Sequence, residues 1–483
     1  MKIKLIYISA ILLLSGVLFS CSDFLEEDMK GAYNAATFYK NEANAIRGVN
    51  GVYNTISFTK SQNQIWVFGD VASDDSRKGG RPGDLSGGEE IDNHLAKPDN
   101  GIIATYWQFV YESISRANDA IYYVPTIDMN VDLRSRLVGE AKFIRAYSYF
   151  NLVNIWGQVP LRLNPTTMAN TNVPLSDVAT IYGQIEKDLN DALSSPIPDK
   201  YSSKDDQGRV TRGAVLGMLA KVYLYQQKYA ECITAIESLE KLKIYDLDVY
   251  ENLFKKNGAS SVESVFAINH LSDQNPGLGN ILNVYFAPTI EQGYYFNNPT
   301  DSYVAAFDEQ TIDQKDDPRL DASIGRQGKP WLNGDVFQAG WSTTGYLVKK
   351  HNQPLAEVEI GKKSDGNLPY IYLRYADILL MKAEALNERN GNNDFDNALV
   401  ALNRVRHRAN LADANVANQP NLREAIRKER RRELGFEFHR FFDLMRWGKD
   451  AAITALGNDF PWKEPRYYYP LPQSEKDGNT AID

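Results

Sequence analysis

Cysteine is nearly absent: only Cys21 and Cys232 occur in 483 residues, so no disulfide framework holds this chain together. Histidine is scarce too. His94, His270, His351, His407 and His439 are scattered and never fall at the i,i+4 spacing of a zinc helix, so no metal site is visible. There is no Gly-x-Ser-x-Gly elbow and no phosphate-binding P-loop, and Gly277-Leu278-Gly279 is only a fragment of a dinucleotide fingerprint. Positive charge is in deficit, with 53 Lys and Arg against 62 Asp and Glu for a net charge of -9. That balance argues against a nucleic-acid partner, which accumulated Lys and Arg would have to hold. No catalytic residue is assigned, although 62 acidic residues leave open a carboxylate pair brought together by folding, and with it a glycoside hydrolase as the rival reading.

The apolar run from Leu5 to Phe19 follows Lys2 and Lys4 and ends at Ser20 and Cys21. It is shorter than the roughly 20 residues of a spanning helix and is followed at once by Ser22, Asp23 and Glu26, which marks residues 1–20 as a signal peptide. Leu18-Phe19-Ser20-Cys21 resembles a bacterial lipobox, making Cys21 the expected lipid attachment site and the first residue of the mature chain. Two or more acyl chains there would anchor the protein stably, where one is marginal. Cys232, within a helical stretch, reads as a buried apolar residue.

Aromatics are plentiful, with 28 Tyr, 20 Phe and 7 Trp, and can serve either as core or as platforms for ligands with an apolar side. The length would suit two or three domains, or one large helical array with an inserted lobe. Helical spacing dominates. Thr211 is the expected N-cap of a helix carrying Val215, Leu216, Leu219, Val222 and Tyr223, followed after Gln226-Gln227-Lys228 by a second helix through Ile233, Ile236 and Leu239. The design returns at 373–388, where a polar turn leads, with Asp394 as expected cap, into 398–409. Both units resemble tetratricopeptide-type hairpins. A helix over 133–156 is apolar on more than one stripe and should lie between neighbours.

Two regions break the pattern. Residues 69–101, rich in glycine, should form a long loop. Residues 258–369, rich in Gly, Pro, Asn and aromatics, read as an irregular lobe with a little sheet, such as the alternating 264–269. The organisation expected is a helical region over 21–257 containing the loop, the inserted lobe over 258–369, and a C-terminal helical region over 370–483.

Four blocks then carry a family resemblance in order. Glu140 to Leu161 reads EAKFIRAYSYFNLVNIWGQVPL; the 211–225 helix ends LAKVYLY; residues 373–409 read LRYADILLMKAEALNERNG and on to ALVALNRVRHRA; and Ile426 to Lys449 reads IRKERRRELGFEFHRFFDLMRWGK. Together with the start Cys21-Ser22-Asp23-Phe24-Leu25 and the end Tyr469-Pro470-Leu471-Pro472, these resemble the SusD/RagB family. The resemblance implies a mostly α fold: a tetratricopeptide-like helix-pair scaffold with an irregular, loop-rich lobe containing a little β. It also implies a lipid anchor in the outer membrane, facing outward. A TonB-dependent, SusC-like barrel would be the partner, receiving bound oligosaccharide for uptake without chemistry. Relatives associated with oligopeptides keep a peptide-binding, RagB-like lid as an alternative. No cofactor is implied, and a structural calcium ion is left open.

The basic run Lys428 to Glu433 reads not as an anion or nucleic-acid patch but as charges that mostly answer each other on a helix capped by Asn421 and Glu424, with Glu424 answering Lys428 and Glu429 answering Arg432. Phe438, Phe441, Phe442, Leu444 and Trp447 sit at core spacing. For ligand contact, the resemblance points to the early loop and the lobe. A sugar needs rings for its C–H faces and directional polar groups for its hydroxyls. Asp74, Asp75 and Arg77 offer the second in the loop, Trp331, Asn333 and Trp341 both in the lobe, and Tyr294 and Tyr295 are further candidates.

Overall fold

Side-chain caps and buried stripes build the scaffold one helix pair at a time. In the computed structural model, which describes residues 35–482, the long helices are α1 (Glu42–Asn54), α2 (Gly101–Tyr123), α3 (Val131–Trp156), α4 (Val178–Leu193), α5 (Arg212–Tyr225), α6 (Tyr229–Glu240), α7 (Tyr375–Arg389), α8 (Asp394–Arg408), α9 (Gln419–Leu434), α10 (Arg440–Trp447) and α11 (Lys449–Leu456). Asn41, Asn100, Asn130, Asp177 and Thr211 each accept a hydrogen bond from a backbone N–H in the first turn, satisfying donors the helix leaves open. The expected caps differ at two places. Asn393, in the left-handed region, precedes α8, with Asp394 turned back to Gly391 N and Arg389; Asn418, not Asn421, caps α9.

Helices α2, α3 and α4 pack in succession, α5 with α6, and α7 against α6, α8 and α9. Helix α3 is buried on nearly every side from Gly139 to Trp156, as its all-round apolar pattern predicts. Cys232 is fully buried. Gly213 lets α5 lie against Tyr245, whose hydroxyl would stand 2.1 Å from an added Cβ. Together these helix pairs form the mostly α scaffold read from the sequence. No described helix is long and apolar enough to cross a membrane. The expected signal peptide and the expected lipid attachment site, Cys21, lie outside the described residues.

Besides a two-residue pair, Val159–Pro160 with Leu175–Ser176, six short strands are found among the described residues: β1 (Ser76–Gly79), β2 (Ser264–Ile268), β3 (Phe296–Pro299), β4 (Ile324–Arg326), β5 (Tyr346–Val348) and β6 (Tyr370–Arg374). They pair antiparallel as β1 with β3, β2 with β6, and β4 with β5. Leu373 and Arg374 thus end a strand, and α7 starts only at Tyr375. The 69–101 segment is less of a loop than its glycines suggest. A π-helical turn at Val67–Val71, strand β1 and a helix at Ser86–Asp92 order it, and Asn100 Nδ2 ties that helix to the start of α2 through Gly87 O at 2.9 Å.

The basic run on α9 is answered from a distance. Arg430 is buried between Asp377 and Asp443, Arg432 meets Ala306 O, Asp308 and Glu309, and Lys428 reaches Asp308 rather than Glu424, which pairs with Arg427. The face is internal because α9 packs on α7 and on the lobe, so its guanidinium groups need carboxylates from those elements. Beside it, buried Arg374 binds Glu263, Glu433 and Glu437, while Arg319 from the lobe binds Asp317, Glu429 and Glu433. Burial opposes ionisation of Glu433, but Arg408, Arg374 and Arg319 together hold its carboxyl well below the usual range.

Candidate functional site

The ordered early segment, the lobe and the C-terminal helices meet around a polar cleft of about 750 Å³. Ser73, Asp74 and Arg77 line it from the approach to β1, Asp92 to His94 from the end of the short helix, Thr300 to Ser302 from just after β3, and Thr343 and Thr344 from the lobe. Leu456, at the end of α11, and Phe460 close the far side. A second trough of about 660 Å³ shares Asp74, Ser302 and Ala455 with the first and runs along α9 and α10 past Arg427, Arg440 and Trp447.

Internal ion pairs fix this wall. Arg440 grips Asp74 with two hydrogen bonds of 2.8 and 3.0 Å, and Arg431 reaches Asp75 at 2.6 Å and Ser302 at 2.8 Å. Burial works against the Asp74 charge, but Arg440 and Arg431 hold its carboxyl below the ordinary value. Thr300 closes the corner by donating to Asp74 O at 2.7 Å, and Thr343 donates twice to Asn298 Oδ1 on β3. Arg77 stays exposed and pairs with Asp92 at 3.1 Å. His94 has its ring edge-on to Phe460 at 4.7 Å, and burial, with Arg77 nearby, pushes its imidazole down to about 4. It is therefore a neutral donor and acceptor at neutral pH.

Below the cleft, Asp70 accepts from Asn297 Nδ2 at 3.0 Å and Phe438 N at 3.1 Å, joining the π-helical turn to β3 and to the turn before α10. The approach is so close that a Cβ on Gly69 would lie 2.4 Å from Phe438 O. Burial pushes the Asp70 carboxyl up to about 8 against the Asn297 hydrogen bond, with Asp75 adding to the rise. Because the folded value lies above the unfolded 3.8, the proton favours the fold: that stability is complete below about pH 4 and is lost as pH rises through 8. Asp70→Asn should remove a slope of up to about 1.4 kcal/mol per pH unit. Relative to wild type, its urea midpoint should climb steadily between about pH 5 and 8; a constant offset would mean that Asp70 is ionised in the fold.

The sequence candidates separate into three groups. Asp74 and Arg77 line the cleft. Tyr294 stands at the other end of β3, at most about 20 Å of extended chain from Thr300. Its ring is 47% exposed and lies parallel to Phe296 at 5.4 Å, which in turn stacks on buried Trp66, so an open aromatic face tops a rigid column. The remaining candidates face inward. Asp75 is 1% exposed and serves as a brace. Trp331 is 4% exposed, packs with Phe337 and Leu347, and donates to buried Glu291 at 2.7 Å, so the open platform expected of it is corrected: the ring anchors the lobe. Asn333 donates to the same Glu291 oxygen, whose carboxylate also binds Lys363. Tyr295 and Trp341 pack partly onto that small core. The hydroxyls of Thr300, Ser302, Thr343 and Thr344, and His94, escaped the sequence reading, since nothing in their local pattern distinguishes them from other loop residues. Among the described residues, no cluster of three His, Cys, Asp or Glu is placed to hold a metal.

Two family profiles together span most of the chain: that of the SusD family matches residues 251–483, and one described as "Starch-binding associating with outer membrane" matches residues 23–224. The chain belongs to the SusD/RagB family. Among relatives in this family, a SusD-like protein of Bacteroides ovatus is 28% identical over 496 residues, covering 95% of this chain and 86% of its own length. A SusD-like protein of Formosa agariphila is 26% identical over 482 residues, covering 95% and 92%. The solved structure of a laminarin-binding SusD-like protein superposes with a TM-score of 0.79 at 28% identity, over 92% of this chain and 99% of that one.

Proposed function

We propose that this protein is a lipid-anchored, outward-facing outer-membrane protein that captures oligosaccharide in the cleft and hands it to a TonB-dependent barrel for uptake. The observation that carries the reading is the cleft itself: a fixed wall of hydroxyls, amides and carboxylates, with an exposed, pre-stacked tyrosine at the other end of β3. That is the pairing of directional polar groups and flat apolar face that sugars require. Membership of the SusD/RagB family and the likeness to a laminarin-binding protein support it, as does the outer-membrane description of the second profile. Asp74 and Arg77 in the cleft are held in ion pairs, and Thr300 and Thr343 in hydrogen bonds, that fix shape, which suits capture without chemistry. Cys21 would carry the lipid.

The test is an affinity screen of the chain lacking residues 1–21 against plant, host-mucin and microbial polysaccharides, with product analysis on the same samples. Retention of at least one glycan without shortening is expected; release of shorter sugars would make the protein an enzyme instead. Tyr294→Ala should weaken the retained glycan about tenfold, the scale of one aromatic contact of roughly 1.5 kcal/mol, and leave the melting temperature unchanged. Unchanged affinity would remove Tyr294 from the site.

A further inference from the structure

Charge is distributed unevenly along the two joined troughs. Every cation lining them is matched by the protein: Arg77 by Asp92, Arg431 by Asp74 and Asp75, Arg440 by Asp74, Arg427 by Glu424 and Lys428 by Asp308. Three exposed carboxylates on the same walls, Asp301, Asp450 and Asp459, form no ion pair among the described residues. Asp301 has only the Tyr346 hydroxyl, at 2.9 Å. The one remaining base in the cleft, His94, is neutral and brings no compensating charge.

The remaining polar side chains of the cleft are uncharged. They are Ser73, Asn93, His94, Thr300, Ser302, Thr343 and Thr344. Side chains of this kind offer a ligand hydroxyl, amide and imidazole groups and no charge. We infer that the two joined troughs select uncharged glycans and reject uronate- or sulfate-bearing ones, with Asp301 and Asp459 in the cleft and Asp450 in the second trough as the rejecting residues. This rests on the glycan-capture reading and adds the class of glycan. A neutral sugar meets the hydroxyl, amide and imidazole groups at no electrostatic cost. An anionic unit in the same position faces unmatched carboxylates across a water-filled groove, with no free guanidinium or ammonium to receive it.

The experiment uses the full-length chain in detergent on an array of neutral polysaccharides (laminarin, starch, xylan, mannan) and anionic ones (alginate, polygalacturonate). The best neutral binder is then carboxymethylated, so that charge alone is varied on one backbone. Wild type should bind the carboxymethylated form about tenfold more weakly than its parent at low salt, and the gap should shrink at 0.5 M NaCl, where screening reaches only about 4 Å. In the variant carrying Asp301→Asn, Asp450→Asn and Asp459→Asn, all at exposed positions, the ratio between the neutral parent and its carboxymethylated form should narrow to about twofold, whatever the change in affinity for the parent. Equal or tighter binding of the anionic form by wild type overturns the inference while leaving glycan capture standing. So does a gap that the triple variant leaves unchanged. Failure to bind any polysaccharide would overturn the capture reading itself, and this inference with it.

Discussion

Arg374→Met is expected to destabilise the protein by about 3–5 kcal/mol, the cost of removing one partner from a buried ion-pair cluster. Arg374 is 1% exposed at the end of β6 and reaches three carboxylates: Glu263 at 2.7 Å, Glu437 at 2.7 Å, and Glu433. It also donates to Glu433 O at 2.7 Å, tying the strand to the C-terminal end of α9. Without it, Arg408 and Lys350 are left to balance what Arg374 shared, and at least one carboxylate must take up a proton or draw in water. Urea denaturation followed by far-ultraviolet circular dichroism measures the loss directly. A loss below about 1 kcal/mol would mean that the cluster rearranges at little cost, as fully exposed pairs do.

Trp331→Ala should be the next most damaging change. Truncating a buried tryptophan removes about 3–5 kcal/mol of packing, and here it also takes away the indole donor that Glu291 accepts. Phe337 and Leu347, which form a small core with Trp331 apart from the main one, lose their central ring. The damage should therefore be local: hydrogen exchange should accelerate over 324–348 while the helix pairs keep their protection. Glycan affinity should fall too, because Thr343 and Thr344 hang from the same lobe. If affinity falls while exchange in the lobe is unchanged, the ring touches ligand directly and the anchoring role assigned to it is wrong.

These two residues also show what the sequence could and could not reveal. Helix pairs were legible because burial repeats at i, i+3 and i+4, and Thr211 carried a cap signal that the structure confirms. Arg374 was legible only as part of a helix, since the strand it ends is defined by its partner β2, about a hundred residues away in the chain. Trp331 was recognised as important by residue type, but whether a ring in a glycine-rich lobe faces in or out depends on Glu291 and Phe337, which no local pattern couples to it. The α9 cations were rightly read as answered charges, and Glu429 does stand 3.9 Å from Arg432, yet Lys428 was given the wrong partner and the main partners of Arg430 and Arg432 were missed, because spacing along a helix finds neighbours on the same face and not the carboxylates of elements packed across it. Asp74 and Arg77 reach the cleft, whereas the hydroxyls opposite them come from segments over two hundred residues away.

The pairing of β2 with β6 has a consequence for how this architecture can vary. The chain leaves the helix pairs along β2 and returns along β6, so the two ends of everything between them are held side by side, about 5 Å apart across one antiparallel ladder. Such an arrangement works as a cassette mount: the length and shape of what hangs from it can change without moving the frame. The constraint on any exchanged cassette is electrical. It must meet the frame's charges with both signs, as Arg319 and Lys350 of the present insert meet Glu429, Glu433 and Glu437, and its Asp308 and Glu309 meet Arg406 and Arg432. The lobe's share of the cleft, Thr300 to Ser302 with Thr343 and Thr344, can thus be replaced as a unit, provided the incoming unit settles the charge of the socket it enters.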